Sequence, residues 1–522
     1  MTATHPVIPY SEYPGLAPLF HDFLRGLRDF YPDPPTLDAA LARGREIFAE
    51  GRKPRFPASA FRHRGGDAVR MAEDLAAGRA VGVSTGQQLG LFTGPFFTIA
   101  KAFDAIAIAR QMTERGVPAV PVFWALTDDH DLQEIARTAR PGADGAEELV
   151  LEGADRQNRR PVGPLPIPDR VREIVEAFRP DAKTEEAARI LDSFARRSAP
   201  GVSYAEAFIE TLLDLVAPDP LLVLDPLSEP LRAPSAELFL TACRRESDVR
   251  RALSETEQRL RRTGRAVPAP VPEGFSFFLI DADGRRRVTD VAAAAARVES
   301  GEATVSADVV TRPVLKSYLF PMAVSVLGAA EIAYHSQSLP LFPILDAPRP
   351  VLVPRTHAVL RGPVERRLQE KLGIADRDLL VAAVSGKAAS HEPAPAGLDA
   401  PAKQADAALA ALEPTLLAID PTLSGALDTA RKKIAYQFEQ LAEKARKASE
   451  RRDDVVAGKR RRLQVSLAPG GVPAERVYPL LVAMLAHGDE VRAALRDAAG
   501  GWRSGAAIVD VGAGAAGGDH GG

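Results

Sequence analysis

Apolar positions along this chain change period several times, and each change marks a structural element. From Tyr13 to about Arg79, Leu19, Phe20, Phe23 and Leu27 recur at helical spacing between the proline-rich turns YPDPPT and KPRFP. This predicts an N-terminal helical lead-in over 1–79. At Ala80 the small and β-branched run AVGVST predicts a short strand, followed by a glycine-rich segment and a long helix from near Pro95 to about Gln111. After the Gly116 stop, PAVPVFWALT is long enough for a fully buried strand. Strand, helix and strand make a βαβ unit, whose crossover places both strand ends at one edge of a parallel sheet, where α/β proteins bind ligands. Further strand candidates are LLVLD at 221–225, FSFFLI at 275–280, closed by the turn DADG, and PVLVP at 350–354. The Ala-rich stretch from Asp281 to Arg312 reads as a small excursion from the sheet.

Farther along, between Ala402 and Leu467, the composition shifts to Ala, Leu, Lys, Arg and Glu. Leu427, Ala430, Ile434, Phe438, Leu441, Ala445 and Ala448 step by three or four, the seam of a helix packed on another helix. A two-helix hairpin turning near Pro421 follows from this. The expected organisation is an α/β fold: the lead-in at 1–79, a core with inserted segments at 80–365, a helical arm at 366–468, a helix returning to the core at 469–498, and a flexible Gly-rich tail at 499–522.

Composition narrows the function classes. The 522 residues are 46% hydrophobic and 26% charged, as in globular proteins, and the length predicts three or four domain-sized units of about 150 residues. Lys plus Arg total 66 against 69 Asp plus Glu, a net charge of -3, too balanced for a binder of nucleic-acid backbones. The basic stretch Lys459 to Arg462 therefore reads as a solvated helix face. The single cysteine, Cys243, forms no intrachain disulfide and no CxxC metal knuckle, and no apolar run is long enough for a membrane span. The start MTATHPVIPYSEYP lacks a basic region followed by an apolar one, so an unprocessed, cytoplasmic chain is expected.

Candidate chemistry concentrates in two places. STGQQLGLFTGPFFTIAK, Ser84 to Lys101, spaces Gly86, Gly90 and Gly94 four apart, which is neither a GxGxxG fingerprint nor a Walker A loop. Two readings stay open. One is an anion cradle of backbone amides, Thr85, Gln87 and Gln88 at a helix N-terminus; the other is a tight strand-to-helix turn. Lys101, well inside the helix, reads as a solvated or structural residue. Downstream, FWALTDDHDLQEI packs Asp128, Asp129, His130 and Asp131 at a strand end. If the strand stays extended, Asp128 and His130 face one way and Asp129 and Asp131 the other. Asp131 and Glu134 form a capping box for the next helix. His130 is the stronger candidate for acid, base or phosphate contact, while Asp128 or Asp129 holding a divalent ion is an unspecific pattern. Trp124 reads as core.

These blocks resemble the cysteine ligase family of bacillithiol biosynthesis, whose members carry TGQQxGLFTGP and W-x-x-x-E-D-H-D-x-x-E. TRPVLKSYLFP at 311–321, AEIAYHSQ at 330–337 and VLVPR at 351–355 resemble its blocks LRPxxQDYLxP, GExAYxxQ and a strand ending in PR, and IDPTLSGALDTARKKIAYQFEQLAEKARKA resembles its coiled-coil segment. The resemblance runs from about Phe20 to His487. It implies a Rossmann-like core, a coiled-coil arm that makes a homodimer, and a bound nucleotide, with ATP, and Mg²⁺ as its candidate companion ion, activating L-cysteine for amide formation with glucosaminyl-malate. No resident metal, nucleic acid or membrane is implied. Matched residue by residue, it selects Thr85, Gly86, Gln87, Gln88, Gly90, Thr93, Gly94, Asp129, His130, Asp131, Arg312, Glu331, Tyr334, Gln337 and Arg355. Asp128, Asp129 and His130 are the catalytic candidates, and Arg312 and Arg355 the clamps for carboxylate or phosphate. Asp128 stands where the family has Glu, and Lys316 and Ser317 replace Gln-Asp. A nucleotidyltransferase-like or other nucleotide-binding α/β enzyme, and a non-enzymatic coiled-coil scaffold, are the alternatives.

Overall fold

The computed structural model describes residues 5–10, 16–151, 159–270, 274–379, 399–420, 423–452, 454–500, 502 and 505–512. Its strands, in chain order, are β1 (Val7–Pro9), β2 (Phe61–Arg62), β3 (Val81–Gln88), β4 (Ala119–Leu126), β5 (Arg137–Pro141), β6 (Ala146–Val150), β7 (Leu222–Leu224), β8 (Phe277–Asp281), β9 (Gly284–Arg287), β10 (Thr304–Ala307), β11 (Met322–Leu327), β12 (Val351–Pro354), β13 (His357–Arg361) and β14 (Gly505–Asp510).

A six-stranded sheet in the order β12-β11-β3-β4-β7-β2 forms the centre, parallel except for the antiparallel edge strand β2. This is the expected Rossmann-like α/β core. Its middle strands are apolar on both faces because helices cover both; β11 and nearly all of β4 are buried throughout. The helix Phe97–Glu114 supplies one cover, burying Ile99, Phe103, Ile106 and Met112. From β3 the chain crosses to β4, and from β11 it crosses the other way to β12, so the β3/β11 boundary is a topological switch point. Crevices open at the carboxyl ends of strands at such points.

The unbroken run MAVSVL of β11 carries no alternation that separates a buried strand from a buried helix, and it escaped the hydrophobic pattern for that reason. β8 belongs to a separate antiparallel sheet, β10-β8-β9, built by the excursion after Asp281. The C-terminal return is two helices, Leu480–His487 and Glu490–Ala498, broken at Gly488 with φ +72°.

The expected flexible tail is corrected over 505–510. There AAIVD forms β14, central in the sheet β1-β14-β13, with Ala506, Ala507, Ile508 and Val509 buried. Glycines on either side masked a short β-branched core strand. The rest of the tail, 513–522, lies outside the described residues.

The arm contains Asp399–Ile419 and Leu423–Arg452, whose contact includes Arg431 donating through Nε and Nη2 to Asp406 at 2.8 and 2.9 Å. The turn near Pro421 lies outside the described residues. No helix of the described residues is long and apolar enough to cross a membrane.

One buried knot ties the C-terminal segment to the core. Glu475 accepts two bonds from Arg355, at 2.8 and 2.6 Å, one from Ala358 N at 2.9 Å, and lies 2.7 Å from His357 Nδ1. Burial alone would raise its carboxyl, but Arg355 and His357 hold it well below the carboxylate range. Glu475→Gln therefore leaves a guanidinium buried without its counter-charge and is expected to cost about 3–5 kcal/mol in chemical denaturation at neutral pH.

Candidate active site

A cavity of about 420 Å³ opens at the carboxyl ends of β3, β4 and β11, lined by Gly86, Gln87, Gln88, Trp124, Leu126, Asp129, Arg285, Arg287, Arg312, Lys316, Leu327, Glu331, Tyr334 and His335, among others. Its floor is set by Lys101. That side chain, 1% exposed, reaches back from its helix to Glu331 at 2.6 Å, the Gly86 carbonyl at 3.1 Å and Gln87 Oε1 at 3.0 Å. It is neither solvated nor idle. Burial lowers its ammonium and Glu331 opposes the shift; burial would likewise raise Glu331, but Lys101 brings it below its ordinary value. Glu331 also caps its helix, Ala329–Ser338, by accepting from Gly328 N at 2.6 Å.

The walls come from the excursion sheet. Arg285 Nη1 donates to Asp129 at 3.1 Å and to His130 Nδ1 at 2.9 Å, and Arg287 pairs with Asp308 at 3.2 Å. Both guanidinium groups stack on Phe278, at 3.7 and 4.4 Å from its ring centre. His130 Nδ1 thus lies between the Arg285 guanidinium at 2.9 Å and the Asp129 carboxylate at 3.4 Å. Burial would raise Asp129, but hydrogen bonds from His130 and the charges of Arg285 and Arg312 keep it strongly ionised.

Asp129 and His130 thus converge on one arginine instead of facing opposite ways. The strand has ended at Leu126, so alternation no longer governs them. Asp128 turns inward and accepts from Ser306 Oγ at 2.6 Å, behind the cavity wall. Asp131 caps Leu132–Ile135 by accepting from Glu134 N at 3.0 Å.

Gly86, Gln87, Gln88, Asp129, Arg312, Glu331 and Tyr334 share this cavity, with His130 at its edge. The other matched residues lie elsewhere. Thr85 Oγ1 donates to Val326 O at 3.0 Å within the sheet, and Thr93 turns onto Phe92 O at 2.5 Å. Gly90 and Gly94 line a neighbouring cavity of about 430 Å³ that shares Gln87, Gln88 and Glu134 and adds Arg137 and Arg476. A Cβ on Gly90 would come within 2.6 Å of Gly94 Cα, so these glycines also close the tight turn itself. Gln337 clamps the Ala269 backbone, accepting at 2.9 Å and donating at 2.6 Å, and Arg355 pairs with Glu475; neither lines these two cavities.

Arg285, Arg287, Lys316 and His335 were not among the candidates. Arginines alternating after a tight turn, in GRRR, place 285 and 287 on one face, and Lys316 follows Arg312 by one helical turn; those spacings were the available signals. His335 Nδ1 lies 2.8 Å from Glu331 O, and burial pushes its ring down to about 4. Gln88 Oε1, Trp124 Nε1 and Arg312 Nε are buried without partners, as expected where a polar ligand enters. Among the described residues no three His, Cys, Asp or Glu side chains converge as a metal cage.

Comparison with known proteins places the chain in a family. Residues 60–356 match the family described as "Bacillithiol biosynthesis BshC, N-terminal Rossmann-like domain", and 364–499 match its "C-terminal coiled-coil domain". The chain belongs to the BshC family. Relatives named "Putative cysteine ligase BshC" include one from Solibacter usitatus, 27% identical over 93% of this chain and 96% of its own. Another, from Koribacter versatilis, is 27% identical over 94% and 97%, and one from Symbiobacterium thermophilum 28% over 78% and 80%. The cavity-lining residues, Gly86 to His335, all lie within the matched Rossmann-like domain.

Lys101→Met leaves Glu331 buried against no cation and is expected to cost about 3–5 kcal/mol, with the double variant Lys101→Met/Glu331→Gln recovering part of the loss. Because Glu331 is held below its ordinary value, its stabilisation is present above about pH 4.3 and fades as pH falls through its lowered folded value. Denaturation series at pH 7 and pH 4 check both statements, the acid loss being smaller in the double variant.

Proposed function

We propose that this protein is an ATP-dependent ligase that joins the carboxylate of L-cysteine to the amine of glucosaminyl-malate, giving bacillithiol. The observation that supports it most is the cation-lined cavity at the β3/β11 switch point of a BshC chain, with buried polar atoms of Gln88, Trp124 and Arg312 unpaired. A carboxylate does not condense with an amine in water without activation. One cysteine carboxylate oxygen attacks a phosphorus of ATP, forming an acyl adenylate with release of pyrophosphate, or an acyl phosphate with release of ADP. The amine then attacks the acyl carbon, and the C–O bond breaks to release AMP or phosphate.

Charge builds on phosphoryl and carbonyl oxygens in both steps, and preorganised donors aimed at that charge are the main catalytic resource. Gln87 and Gln88 stand between the two cavities, with Arg312 and Arg285 in one and Arg137 and Arg476 in the other. That division suits an acyl centre on the first side and phosphates on the second. Magnesium travelling with ATP takes most of its ligands from phosphate and water. The reaction belongs in the cytoplasm, where ATP and reduced cysteine are available.

The proposal extends to a homodimer through the arm, whose Leu412, Leu417, Ile419, Tyr436 and Leu441 are exposed apolar side chains. Replacing 399–452 by a short flexible linker is expected to halve the mass in sedimentation; a truncated protein that stays dimeric removes the arm from this role.

Isotope transfer tests the chemistry. With L-cysteine labelled by ¹⁸O in its carboxylate, ATP and glucosaminyl-malate, one labelled oxygen per bacillithiol is expected in AMP or phosphate. Bacillithiol formed with no label in either product, or none formed at all, refutes carboxylate activation by ATP.

A further inference from the structure

Lys316 is the one cation lining the cavity with no hydrogen-bond or ion-pair partner among the described residues. Of the carboxylates lining the cavity, three are engaged by other cations, and Glu134 sits beside Asp131 and Asp129. Asp129 is held by Arg285, Asp308 by Arg287, and Glu331 by Lys101. Arg312, one turn earlier on the helix Arg312–Leu319, is only partly engaged: Nη2 donates to Ala307 O at 3.2 Å and lies 3.9 Å from Asp129, while Nε is buried and unpaired. Residues four apart on a helix project from one face, so the ammonium and the guanidinium reach the cavity side by side.

We propose that Lys316, with Arg312 beside it, anchors the malyl carboxylates of the acceptor substrate. This rests on the ligase reading for the identity of the acceptor, and on geometry alone for the presence of a carboxylate anchor. Two adjacent cations of different shape suit a dicarboxylate: the guanidinium takes one group bidentately, the ammonium takes the other as a point charge. The groups facing Lys316 are Glu331 and His335 on one helix, Lys101 on another and Arg312 on its own. Burial, against the pull of Glu331 and with Lys101 and Arg312 adding to it, lowers the amine to about 7. A bound dianion restores its proton.

Titration calorimetry of the full chain with L-malate, L-cysteine and ATP separately, for wild type, Lys316→Gln and Lys316→Arg, tests this without requiring turnover. The expected result is malate affinity reduced about ten- to a hundredfold in Lys316→Gln, retained in Lys316→Arg, with ATP and cysteine affinities unchanged. At pH 8, wild type is expected to take up a proton on binding malate, seen as a heat that depends on the buffer, and Lys316→Gln is not. Matching melting temperatures establish that the variants are folded. Absence of malate binding to wild type, an unchanged malate affinity in Lys316→Gln, or a loss confined to ATP or cysteine overturns the proposal. If Lys316-dependent malate binding persists in a protein that forms no bacillithiol, the ligase reading fails while the anchor stands.

Discussion

The site depends on a lysine where water does not reach. Lys101 is 1% exposed, and its ammonium is stabilised only because Glu331, the Gly86 carbonyl and Gln87 surround it. Those partners lie on the ends of β3 and on the helix after β11, the two strands that flank the switch point. A buried charge does not tolerate a missing partner, so the requirement to pair Lys101 fixes the strand ends and the Glu331 helix in one arrangement. Gln87 and the cap of Ala329–Ser338 take their positions from that pairing.

On this fixed floor the walls supply positive charge. The excursion sheet β10-β8-β9 carries Arg285 and Arg287 over the strand ends, and the helix Arg312–Leu319 adds Arg312 and Lys316. Each arginine from the sheet is matched to a carboxylate and stacked on Phe278, which holds it without filling the cavity. The arrangement keeps donors in place before an anion arrives, the condition under which such donors act strongly on developing charge. Fold and site are therefore one construction: the same helices that cover the sheet deliver the polar side chains to its edge.

Much of this was legible in the chain. The βαβ unit, the glycine segment and the Asp-Asp-His cluster stand out because strand, turn and helix chemistry is local. Asp129, His130, Gln87 and Gln88 were found that way. What sequence alone hides is pairing over long range. Nothing near Lys101 announces Glu331, some 230 residues away, and nothing in VPR announces Glu475, so one lysine read as either solvated or structural and one arginine read as a clamp. Strand alternation misplaced Asp128 and His130 because the strand stops at Leu126, two residues before the first of them. The family resemblance selected Thr85, Thr93 and Gln337, but matching does not separate residues that touch substrate from those that hold backbone.

The central claim is that the acyl acceptor and the activated carboxylate meet in the cavity between Gln87, Arg312 and Lys316. A crystal structure with L-cysteine, glucosaminyl-malate and a non-hydrolysable ATP analogue tests it most directly. The account predicts the malyl carboxylates within hydrogen-bonding distance of Arg312 and Lys316, and the cysteine carboxylate beside Gln87 and Gln88. Substrate density at another site, with this cavity holding only water, would contradict it.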